Sequence, residues 1–180
     1  MPVFSWFKTL VFGLLALNAA IFVFGGTVSE GLDSAAWLAL LVLFEIETSH
    51  GPIRPRRAAI IHAARLVAAI AIPVAAVGYA LDEEWLDATN AALWIAVVLV
   101  LEFRVRFPPA AARYRTETTV VATALYIGLG CVALVWLWRA EWFNAYDALL
   151  WLLAFATIEV NVLQSLRRWP APTAAPARLE

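Results

Sequence analysis

Apolar residues run through this chain in long unbroken stretches, not in strict alternation. Six such segments stand out, at about 4–25, 33–48, 58–80, 88–105, 118–139 and 145–166. At about 1.5 Å per residue, helices of this length approach or cross a hydrocarbon core about 30 Å thick. The second segment is the shortest. Strands would have to close into a barrel to satisfy their backbone in lipid, and the runs are too long for that. Lys8 ahead of the first stretch imitates a secretory signal. That stretch is too long for one, and we read it as a retained span.

The polar positions inside these stretches repeat. Trp37, Trp94 and Trp151 stand 57 residues apart. Each is preceded four positions earlier by Asp33, Asn90 or Asp147, and followed eight positions later by Glu45, Glu102 or Glu159. The chain is thus a gapless threefold repeat of [Asp/Asn]-x3-Trp-x7-Glu. The fold expected is an all-α integral membrane protein. Its six transmembrane helices form three hairpins of about 57 residues: residues 1–57, 58–114 and 115–169. Residues 170–180, rich in Pro and Ala, read as a disordered tail. Pro52, Pro55, Pro108 and Pro109 fall between the hairpins, and Pro73 lies mid-span, where it should kink the third segment.

Charge gives this scheme a direction. Twelve of the thirteen basic residues fall on one side: Lys8, Arg54, Arg56, Arg57, Arg65, Arg104, Arg106, Arg113, Arg115, Arg167, Arg168 and Arg178. Only Arg139 lies opposite, among Glu30, Asp33, Asp82, Glu83, Glu84, Asp87, Glu141 and Asp147. The bias of Lys and Arg toward the inner side places both termini in the cytoplasm of a multi-pass protein of the cell (inner) membrane, of bacterial type. Trp85 and Trp142 match in register at the outer interface. The basic loops hold few aromatics, so they suit the lipid bilayer and give no sign of nucleic-acid binding.

Composition agrees: 63% of residues are hydrophobic and 15% charged, far from a soluble domain. With Cys131 alone, no internal disulfide or thiolate metal site can form. His50 and His62 are the only histidines, and no paired-His, P-loop, GxGxxG or GxSxG signature is present. We therefore expect no enzyme, no cofactor and no metal centre.

The repeated acids carry the functional candidate. Positions twelve apart on a helix are about 18 Å apart along the axis, which puts Asp33, Asn90 and Asp147 toward the outer end and Glu45, Glu102 and Glu159 in the cytoplasmic third. An ionisable group within a span is a functional hypothesis by default, so the three glutamates are the candidate ion or proton site. The structural reading competes. The same register sets Lys8 beside Glu45 and Arg65 beside Glu102 as ion-pair partners. Ala122 takes that place in the third repeat and leaves Glu159 without a counterpart. Asp33, Asn90 and Asp147 read as helix N-caps or as an outer acidic ring, and Trp37, Trp94 and Trp151 as packing residues. The function expected is transport or conduction of a small cation or proton through a pseudo-threefold bundle. The alternative is a non-catalytic membrane subunit or scaffold, a homo-oligomer or one that binds a partner membrane protein.

Cysteine labelling tests the topology. Residues 49–57, 106–117 and the C-terminus should be shielded in the cytoplasm, with 26–33, 81–88 and 139–146 reactive from outside. External reactivity of 106–117 would break the three-hairpin scheme.

Overall fold

A computed structural model describes the backbone of residues 2–49 and 55–167, and the side chains of residues 6–46 except Lys8 and 57–156 except Val105. The expected tail, 170–180, lies outside the described residues. Among them the chain is all helical, with seven helices: α1 Pro2–Gly25, α2 Val28–Ser49, α3 Pro55–Leu81, α4 Trp85–Arg106, α5 Pro108–Arg113, α6 Arg115–Trp138 and α7 Trp142–Arg167. Of these, Arg57–Leu81, Trp85–Arg104 and Arg115–Trp138 are long and apolar enough to cross a membrane. The apolar part of α1, Thr9–Gly25, is shorter. α2 is interrupted by Glu30, Asp33 and Glu45. Pro73 lies inside α3 without ending it. Pro108 opens the additional short helix α5, a position where its missing N–H costs nothing.

The helices pack in a closed ring. α1 contacts α2, α2 contacts α3, α3 contacts α4, α4 contacts α6, α6 contacts α7, and α7 returns to α1. Short turns at 26–27, 82–84 and 139–141 fold consecutive helices back on one another. Buried positions recur along the ring at the interval of the sequence pattern. Leu15, Ile72 and Leu129 stand 57 residues apart and are all buried, as are Asn18, Ala75 and Val132. The outward faces are the reverse of a soluble protein: Leu10, Leu17, Val67, Ile70, Val74 and Ile127 are all more than half exposed. Lipid tails are as apolar as these side chains, and three of the helices are long and apolar enough to lie among them.

Local chemistry sets the turns. At the start of α2, Thr27 Oγ1 accepts from the Glu30 amide at 3.2 Å, and Glu30 Oε2 accepts from the Thr27 amide at 2.6 Å. This reciprocal pair is a capping box. It starts the helix five residues before Asp33 and corrects the capping expectation: Asp33, Asn90 and Asp147 are each the sixth residue of α2, α4 and α7, not N-caps. At the ends of α3 and α6, the Glu84 amide donates to Tyr79 O and the Glu141 amide to Trp136 O, both at 2.9 Å. Glu83 and Ala140, 57 residues apart, take the left-handed conformation this closure requires, with φ of 62° and 61°. Within the first hairpin, Gly31 lets α2 approach the α1 backbone. A Cβ there would lie 3.2 Å from Val23 Cα.

Two substitutions check this account by thermal unfolding in detergent. Ala140→Gly should raise stability by about 1 kcal/mol, because a left-handed L-residue costs about that much. Gly31→Val should lower it by about 1–3 kcal/mol through overpacking against backbone that cannot give way.

Candidate functional site

The residues that the structure brings together at the centre of the ring are the tryptophans. Trp37, Trp94 and Trp151 are each no more than 9% exposed. The Trp37 ring lies 6.2 Å from both Trp94 and Trp151. Phe155, one turn after Trp151 on α7, packs among them at 4.7 Å from Trp94 and 6.3 Å from Trp37 and Trp151. No Cα of α2, α4 or α7 comes within 8 Å of another of these three helices among the described residues. Side chains alone therefore bridge the centre. Tilted aromatic pairs at such distances contribute about 0.5–1.5 kcal/mol each beyond their area. Packing was the expectation for these residues. The additional finding is that they pack against one another across the centre.

One helical turn outward lies a polar layer. Asn18, 2% exposed on α1, donates from Nδ2 to Asp147 Oδ1 at 2.9 Å. The Trp151 indole N–H also donates to Asp147, and the Trp37 indole N–H donates to Asp33 on its own helix. The charges of Asp147 on α7 and Asp87 on α4 both reach Asp33. Buried Tyr79 on α3 faces Asp33 and Asp87. Two acceptors in this layer, Asp33 Oδ1 and Asn90 Oδ1, are out of reach of solvent and have no hydrogen-bond partner. The buried Trp136 Nε1 likewise lacks an acceptor. Its cluster packs against Leu86 and Leu93, which flank Asn90 on one face of α4. Beyond this layer Ser29 donates to Asp82 at 3.4 Å, tying α2 to the end of α3. Glu84, in the turn before α4, is held above the usual carboxylate range by partial burial, and then by the charges of Glu30 and Asp82.

The repeated glutamates are placed differently. Glu102 pairs with Arg106 one turn along α4, and its side chain is 50% exposed. The ion pair it forms is therefore within its own helix, where Arg65 had been expected. Glu45 and Arg65 are half-buried on α2 and α3. Glu159 and Lys8 fall on α7 and α1, but their side chains lie outside the described residues, and with them the Lys8–Glu45 pair. Sequence reasoning named Asp33, Asn90 and Asp147 but missed Asn18 and Tyr79. An asparagine within an otherwise apolar first span was the available signal for the former.

Asn18→Leu should strand the Asp147 carboxylate and cost about 1–3 kcal/mol. In an Asp147→Leu background the same change should cost little. The comparison is a double-mutant cycle by thermal unfolding, and additive costs would exclude the contact as a source of stability.

No family model, no curated protein and no solved structure matches this chain, so the reading of the site rests on its own geometry.

Proposed function

We propose that this chain is a six-span protein of the cell membrane, built from three hairpin repeats with both termini cytoplasmic, and that it moves a small cation or proton across the bilayer. The observation that carries the reading is the pair of buried, unpartnered acceptors, Asp33 Oδ1 and Asn90 Oδ1, in a layer that also holds the Asp147 carboxylate. Polar groups left unsatisfied in a low-dielectric interior cost free energy, and sites that tolerate the cost are commonly ion or proton positions. The recurrence of buried residues and turn conformations at the 57-residue interval supports the repeat.

In this scheme Asp33, Asn90 and Asp147 hold the ion on the outer side. Glu45, Glu102 and Glu159 receive it on the cytoplasmic side. The Trp37, Trp94 and Trp151 layer between them is the barrier. Passage then requires an indole to change rotamer, which makes the tryptophan layer a gate as well as a core.

A second reading has its own observation. An apolar groove of about 500 Å³ runs along α1, α2 and α3, lined by Ala16, Ala20, Ala35, Ala39 and Ala64 among others. Small residues let a further helix approach closely, as a subunit that docks a partner membrane protein would need.

Flux in proteoliposomes, followed with pH- and cation-sensitive dyes, tests the first reading. Asp33→Asn should lower flux at least about tenfold, equivalent to about 1.4 kcal/mol on the barrier, while yield is kept. Trp94→Ala should raise leak. Glu159→Gln should lower flux with the fold intact. Flux no greater than in empty vesicles for every ion tried would move the assignment to the docking subunit, for which co-purification of a second membrane protein is the check.

A further inference from the structure

We propose that Asp33 is the proton carrier of the polar layer, holding a single proton that it shares with the side-chain oxygen of Asn90, while Asp147 remains ionised. This deepens the transport reading above and rests on it for its purpose, although the evidence for the proton is separate. The repeat itself supplies the first argument. Asn18 reaches Asp147 because α1 packs against α7. In the same way α3 packs against α2, and the residue on α3 in register with Asn18, 57 positions on, is Ala75. Ala75 is 1% exposed and offers no donor. Asp147 therefore has an amide donor beside it, and Asp33 has none at the corresponding place.

The second argument is the pairing of orphans. Asp33 Oδ1 and Asn90 Oδ1 are both acceptors, both buried and both unpartnered. They project from α2 and α4 one turn above tryptophans whose rings lie 6.2 Å apart. A proton bound to the Asp33 carboxylate turns one acceptor into a donor. The resulting O–H can donate to the Asn90 oxygen, so a single proton satisfies two groups. A metal cation would need more: hard cations take six or more oxygen ligands in typical sites. Among the described residues no group of three His, Cys, Asp or Glu side chains is gathered to hold one.

The surroundings point the same way. The groups that act on Asp33 are Tyr79 from α3, Asp87 from α4, Asp147 from α7, and Trp37 on its own helix. α1 contributes the neutral Asn18 to this layer. The charges acting on Asp33 are those of Asp147 and Asp87, both acids.

Infrared spectroscopy of the full chain in phosphatidylcholine vesicles reads this directly. At neutral pH the wild-type protein should show the C=O stretch of one buried protonated carboxyl, which shifts in heavy water. The band should vanish in Asp33→Asn and persist in Asp147→Asn. Asn90→Leu removes the acceptor and should move the band to higher wavenumber, a readout that holds even if Asp33→Asn fails to fold. Loss of the band in Asp147→Asn with retention in Asp33→Asn would overturn the assignment. So would absence of any such band in the wild type, or its removal by sodium or potassium chloride at constant pH. A wild-type band without measurable flux supports the proton site and removes the transport reading. Flux without the band does the opposite.

Discussion

Three indoles meeting where no backbone meets hold this ring open and closed at once. Six helices arranged around a circle leave a gap at the axis that backbone contact cannot fill. Trp37, Trp94 and Trp151 are the largest side chains available, and with Phe155 they span the gap. Their indole N–H groups need acceptors, and that need fixes the next layer out. Asp33 and Asp147, four residues earlier on the same helices, accept from Trp37 and Trp151. The central core and the buried acids are therefore one construction. The acids cannot be read as surface groups that happen to point inward.

Once carboxylates are drawn into the interior by the indoles, their remaining oxygens must be satisfied. Asn18 does this for Asp147 from the neighbouring helix. The rim does little to help, because Glu30, Asp82, Glu84 and Asp87 are all acidic, and partial burial, then the charges of Glu30 and Asp82, raise Glu84. An acidic mouth above an acidic layer attracts cations and protons toward the centre. The basic residues other than Arg139 sit toward the other ends of the helices, where Arg106 pairs with Glu102 along α4. The acids of the rim therefore outnumber the single basic residue beside them, Arg139 at the end of α6.

Much of this was legible in the sequence, and the failures have physical causes. The period was visible because Trp37, Trp94 and Trp151 recur with their flanking Asp or Asn and Glu at a constant spacing without gaps. Helix limits fell within a few residues because long apolar runs leave little choice. The capping role assigned to Asp33 failed because a carboxylate ahead of an apolar run looks like a cap wherever the helix begins. The motif that starts the helix, Thr27-x-x-Glu30, was in the sequence and outranked it. Register pointed from Glu102 to Arg65 and overlooked Arg106, which is on the same helix one turn away and within the short i to i+4 reach. Depth can be read from sequence, whereas the direction a side chain takes around the helix axis depends on the neighbours it meets.

The departures from threefold symmetry are more informative than the symmetry. A strict repeat would place three aspartates around one axis, each with its own amide donor or none. This chain has Asp33, Asn90 and Asp147 at one position and Asn18, Ala75 and Val132 at the other. Replacing one carboxylate by an amide removes a charge from the layer while keeping an oxygen that can accept. Keeping one donor of three satisfies a single carboxylate and leaves another exposed to its neighbours' fields. The two departures act on different helices, yet both converge on Asp33: Ala75 denies it a donor, and Asn90 offers it an acceptor. Holding helices in register requires neither departure, and it is on this asymmetry, not on the repeat, that the proposed proton site depends.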